Sequence, residues 1–197
     1  YRRTLALIDA TPSDAYIVDI FRVRGGRQHD WIVHGTDASF ETDLALTAPR
    51  TEGTLAGAEV EYGNFYDNEE MAKAPYGSVS YGGYTGSAFM YLFNVQEAVL
   101  DGRATASWRL RRAEGVALRA HLVGDDERVF VCDGKPQQNT KATPETVKFL
   151  LRRRTGEDLR STYVTIFEPY QHEPFLSSVA RLAVTPDAPR KSPCAST

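Results

Sequence analysis

The stretch from residue 16 to residue 35, YIVDIFRVRGGRQHDWIVHG, constrains this chain more than any other. Its first eight residues are almost wholly apolar, aromatic or β-branched, which suits a pleated, half-buried strand. Gly25-Gly26 then supplies two residues free to take positive φ, the punctuation of a hairpin. Beyond it His29, Trp31 and Val33 alternate with Asp30, Ile32 and His34, so the returning strand has two chemically distinct faces. The stretch reads as a β-hairpin with histidines on its second arm. Period two puts His29 and His34 on opposite faces unless a bulge re-aims one of them.

The same signature recurs along the chain. Strands are expected over residues 3–8, 89–95, 104–110, 115–122, 127–132, 147–153, 161–167 and 175–184, although the leucines and arginines of 147–153 would also serve a short helix. Turn chemistry separates them, as in Thr11-Pro12-Ser13-Asp14, Gly124-Asp125-Asp126 and Asp133-Gly134-Lys135-Pro136. Short strands without long helical periodicity indicate an all-β fold, an antiparallel β-sandwich. Between residues 36 and 88 the pattern gives way to a long aromatic and Gly-rich excursion carrying Tyr62, Phe65, Tyr66, Tyr76, Tyr81 and Tyr84. So many aromatic rings argue against disorder, because they gain much by burial. A short helical turn is expected near Asn68 to Lys73. Residues 1–184 read as one sandwich domain and residues 185–197, with their prolines and serines, as a flexible tail. The chain opens in strand pattern at Tyr1, as expected for a piece of a longer polypeptide.

A net charge of −3 and a pI near 5.8 argue against a general nucleic-acid binder. No stretch approaches the length of a membrane span. Arginines cluster at Arg109, Arg111, Arg112 and at Arg152, Arg153, Arg154. Solvated strand ends explain them plainly; recognition of carboxylates or sulfates, which the guanidinium fork suits, is the sharper reading. Cys132 and Cys194 are too few for a disulfide scaffold, and Cys132 reads as a buried small hydrophobe. None of G-x-x-x-x-G-K-[ST], H-E-x-x-H, C-x-x-C or G-x-S-x-G is present. His29 and His34 are candidate cleft residues, and no metal site is assigned, since H-x-x-x-x-H on a strand is a weak zinc signal and a metal site needs ligands converging from several elements. His121, near a strand end, reads as an ordinary partly exposed residue, and His172 as part of a rigid Pro-flanked loop. Tyr62, Tyr66, Tyr81 and Tyr84 are candidates for a sugar-stacking surface, with core burial as the commoner reason for such residues.

Three stretches taken together resemble a known family. They are Arg2-Arg3-Thr4-Leu5-Ala6-Leu7-Ile8-Asp9, then Tyr16 to Val23 with Gly25-Gly26 and His29 to Gly35, then Ser161-Thr162-Tyr163-Val164-Thr165-Ile166-Phe167-Glu168-Pro169-Tyr170. Their order resembles the carboxy-terminal β-sandwich region of heparinase II/III-like polysaccharide lyases. The aromatic middle is mostly unmatched. The resemblance implies a parent enzyme with an amino-terminal α/α toroid that cleaves uronic-acid polysaccharides by β-elimination. It places the acid-base tyrosine and the carboxylate-neutralising residue mainly in that toroid, and a structural divalent metal in a strand preceding Tyr1. No catalytic residue and no cofactor of this chain follows from it. The implied partners are an anionic uronate polysaccharide and the toroid, and the implied location is periplasmic or extracellular. Two further readings stand beside it: a non-catalytic carbohydrate-binding or interaction module built on the tyrosines, and a metal-dependent enzyme using His29 and His34.

Overall fold

The computed structural model describes residues 1–74, 84, 86–136 and 143–182. Eight strands carry the fold: β1 (Arg2–Asp9), β2 (Ala15–Arg24), β3 (Gln28–His34), β4 (Ala38–Thr42), β5 (Leu92–Leu110), β6 (Val116–Gly134), β7 (Val147–Thr155) and β8 (Arg160–Gln171). A single helical turn, α1 (Glu69–Ala72), and a 3-10 turn (Ala88–Tyr91) are the helical elements among the described residues. Asn68 caps α1 by accepting from the Met71 amide at 3.0 Å, so the expected turn near Asn68 is present. Every strand pair is antiparallel, and the all-β expectation holds.

All eight strands belong to one curled sheet that branches at β6. The first half of β6 pairs with β8 and the second half with β7, while β5 runs along its other edge. Between the halves, Gly102 of β5 takes φ +85° opposite Gly124, the register slips near Leu100, and Asp126 takes φ +52°. Irregularities of this kind bend strands and strengthen twist. They also reverse the parity of β6: Ala120 and Leu122 enter the same core as Val129 and Val131. One wing is β1-β2-β8 and the other is β7-β3. Trp31 on β3 stacks on Phe167 of β8 with centroids 6.1 Å apart, so the wings face one another across the core.

This architecture corrects the expected hairpin. β2 pairs with β1 and β8, β3 pairs with β7, and the two do not pair with each other. Gly25 (φ +88°) and Gly26 (φ +80°) do use the glycine conformation foreseen for them. Their turn is nevertheless an arch between wings, tied to the β7–β8 turn by Gly25 N–H to Leu159 O and Gly156 N–H to Arg27 O. A hairpin would lay Phe21 and Trp31 in one layer. Burying both inner faces requires two, and burial of such side chains is worth roughly 1.5–3 kcal/mol each.

Three further differences are smaller. Residues 88–91 are a 3-10 turn leading into β5, which continues unbroken to Leu110. The two strands expected at 115–122 and 127–132 are one, β6. Gly and Asp, read as turns, are irregularities within long strands. Residues 175–182 are not a strand; they lie across the outside of the sheet, anchored through Leu176. In the excursion, Val60, Phe65 and Met90 form a small core of their own with Met71, Tyr84 and Tyr91.

Candidate functional site

The inner face gathers polar side chains whose bonding capacity is spent. Arg152 and Glu127 are both fully buried and joined at 2.6 Å. Arg152 also donates to the carbonyls of Val164 and Val123 and to the Thr165 hydroxyl, and its guanidinium lies between the rings of Trp31 and Tyr163. Burial pulls its pKa down while Glu127 opposes that pull. Asp19 accepts two bonds from Arg3 and one from the Trp31 indole. His29 lies in this layer. Its Nε2–H donates to Gly25 O, its Nδ1 accepts from the Ser161 hydroxyl at 2.8 Å, and Tyr163 donates to its carbonyl at 2.6 Å. His29 thus locks the arch onto β8.

His34 faces outward, as period two requires, beside Phe149 with ring centroids 4.8 Å apart. It lines a shallow cavity with Asp37, Arg112 and Val147. The structure therefore does not bring His29 and His34 together. Among the described residues no group of three or more His, Cys, Asp or Glu side chains is placed to hold a metal ion.

The outer face is different. A cleft of about 330 Å³ is lined by Arg50, Arg128 and Arg153 with one carboxylate, Glu97. Arg128 binds Glu97 at 2.6 Å, and Arg153 reaches Asp30 at 2.7 Å. Arg50 is steadied by the carbonyls of Glu52 and Thr54 and has no carboxylate partner among the described residues. The Arg128 guanidinium holds the Glu97 carboxyl below its usual value against the effect of burial, with Arg153 and Arg50 adding to it. Phe130, Leu55 and Val95 line the apolar part. Arg128 and Arg153 lie over the Phe130 ring at 5.0 and 5.2 Å, which orients both guanidiniums.

The pleat sorts the triplet Arg152-Arg153-Arg154: the first and third turn inward to Glu127, and the second enters the cleft. Arg50 and Arg128 are isolated in the sequence, and nothing local marks them as partners. β5–β6 pairing and the Arg50–Val95 bridge bring them together.

The tyrosines gather round the 3-10 turn beside this cleft. Phe89 of that turn faces Arg153 at 5.0 Å, and Tyr91 meets Tyr62 edge-on at 5.5 Å. Tyr62 is 39% exposed, with Lys135 Nζ 4.9 Å above its ring, and Tyr66 is 41% exposed, its hydroxyl bonded to Ser87. Tyr84 is anchored: its ring packs on Phe65 and its hydroxyl donates to Asp67 at 2.5 Å. Burial and Asp67 both push that hydroxyl's pKa up. Tyr81 and Cys194 lie outside the described residues. Cys132 is buried, and burial pushes its thiol up to about 12, so it is an inert core residue.

A second cavity, of about 270 Å³, lies under residues 174–182. His121 lines it and is buried, which corrects the expectation of partial exposure; the covering segment is the reason. Glu168, fully buried, accepts from His121 Nε2 at 2.9 Å, Arg119 Nε at 2.7 Å and the Leu176 amide at 2.6 Å. Sequence reasoning missed this cluster because its members come from β6, β8 and a segment misread as a strand.

No protein-family model matches this chain, and no curated protein matches it. No helix among the described residues is long and apolar enough to cross a membrane.

Proposed function

We propose that this chain is the β-sheet portion of a heparinase II/III-like polysaccharide lyase and supplies an anion-binding wall for a uronate polymer. The observation that carries the reading is the outer cleft, where three guanidiniums surround one carboxylate beside exposed aromatic rings. Arginine forks match carboxylates and sulfates, and an aromatic ring suits the apolar face of a pyranose. In β-elimination a base removes the proton α to the uronate carboxylate and the glycosidic oxygen leaves with a proton. The chain's own residues hold and orient the polymer, and the acid-base groups belong to the toroid that the sequence resemblance implies. A role for His29 and His34 as a joint metal site has no geometry to support it, since they face opposite sides of β3.

The test has two arms. Heparan sulfate, chondroitin sulfate and alginate oligosaccharides are titrated into the chain by calorimetry at two salt concentrations, with dextran as the neutral control. Salt-sensitive binding that Arg128→Gln weakens supports the reading, and indifference to polymer charge overturns it. The same polymers are followed for the ultraviolet absorbance of unsaturated uronate ends. The chain alone should release none, and full lyase activity from it would refute the division of labour. A non-catalytic carbohydrate-binding module is the second reading, favoured by the exposure of Tyr62 and Tyr66. Dextran binding lost in Tyr62→Ala would select it.

A further inference from the structure

We infer that the cavity beneath residues 174–182 binds a single carboxylate group. Arg103 and Thr105 of β5 and Arg119 and His121 of β6 project from the outer face of one antiparallel pair. Arg103 stands opposite Val123, so His121 is its diagonal neighbour and Arg119 is one step further along that face. Ser177 and Ser178 complete the wall from the covering segment.

The donors here are unspent, unlike those of the core. Among the described residues Arg103 makes a single long contact, to Val179 O at 3.4 Å. Arg119 commits Nε to Glu168 and Nη2 to Leu176 O, leaving Nη1 without a hydrogen bond among the described residues. His121 commits Nε2 to Glu168, and its Nδ1 makes no hydrogen bond to the described residues. The ring is nine-tenths buried and lines the cavity.

Charge sets the ligand class. The lining balances Arg103 and Arg119 against Asp43 and the adjoining Glu168. Asp43 already accepts from the amide and hydroxyl of Thr105. With no large positive excess, the cavity suits a monoanion better than a dianion. In the complex Arg103 supplies the fork and Arg119 Nη1 a further N–H donor, with Ser177 and Ser178 beside them.

The probe is acetate, with acetamide as its neutral isostere and sulfate as the dianion. Titration is followed by NMR at the Thr105, Ser177 and Ser178 amides and the His121 ring nitrogens. Saturable shifts with acetate, absent with acetamide, are expected, and Arg103→Gln should weaken acetate about tenfold. Arg103 holds so little else that this variant should fold normally. Linear shifts, equal response to acetamide, tighter sulfate binding, or an Arg103→Gln variant that binds acetate unchanged each overturn the inference. Arg128→Gln, in the other cleft, should leave acetate binding intact, so this outcome is read independently of the polymer reading.

Discussion

The inner and outer faces of the curled sheet use the same chemistry to opposite ends. Inside, Arg152 bonds Glu127 and the carbonyls of Val164 and Val123. Outside, Arg50 and Arg103 are propped by backbone carbonyls and keep most of their donors. A buried ion pair gains little over an apolar pair once desolvation is counted, but an unpaired member is severely costly. An exposed guanidinium costs nothing to leave open. Burial and donor saturation, not residue type, separate arginines that hold the fold from arginines available to a ligand.

The sharpest way to break that contrast is to strip the core pair. Glu127→Gln leaves Arg152 buried without its counter-charge and Arg154 without its partner. Urea denaturation should show a loss of about 3–5 kcal/mol, or no folded protein. An effect below about 1 kcal/mol would mean that water reaches Arg152. Tyr163→Phe comes next. It removes the bond to the His29 carbonyl, which stays engaged in the β3–β7 ladder, for a loss of about 0.5–1.5 kcal/mol by the same measurement.

Glu168 sharpens the comparison through pH. Burial raises its carboxyl, but the Leu176 amide, Arg119 and His121 together hold it below its usual value of 4.5. A carboxyl depressed in the folded state contributes stability that is present above the unfolded value and lost as pH falls through the folded one. Stability followed by chemical denaturation should therefore decline as pH drops below about 4.5, and Glu168→Gln should flatten that part of the curve. A decline of equal steepness in the variant would assign the effect to other carboxyls. The smallest effect is expected outside: Arg128→Gln should change stability by less than about 1 kcal/mol, since the pair with Glu97 is well exposed. A larger loss would make the cleft part of the scaffold.

Much of the sheet was legible locally. β1, β2, β3, β7 and β8 follow from alternating or continuous apolar runs, and Gly25-Gly26 adopts the positive φ that only glycine takes cheaply. The Asn68 cap was readable too, because capping is a contact of near neighbours. Glycines and acids inside β5 and β6 misled, since the same residues serve a turn between strands or a bulge within one. The candidate site was scarcely legible. Of its arginines only Arg153 stood in a cluster, and His121 gave no hint of Glu168, 47 positions away.

The sequence by itself determined which residues extend, where glycine permits a sharp change of direction, and that His29 and His34 point opposite ways, because each follows from backbone geometry over a few residues. Tertiary structure alone decided that the arch joins two wings instead of closing a hairpin. It also decided which arginines are spent and which are open. Those outcomes depend on partners far apart in the chain and on how much water each site retains, and no local pattern encodes either.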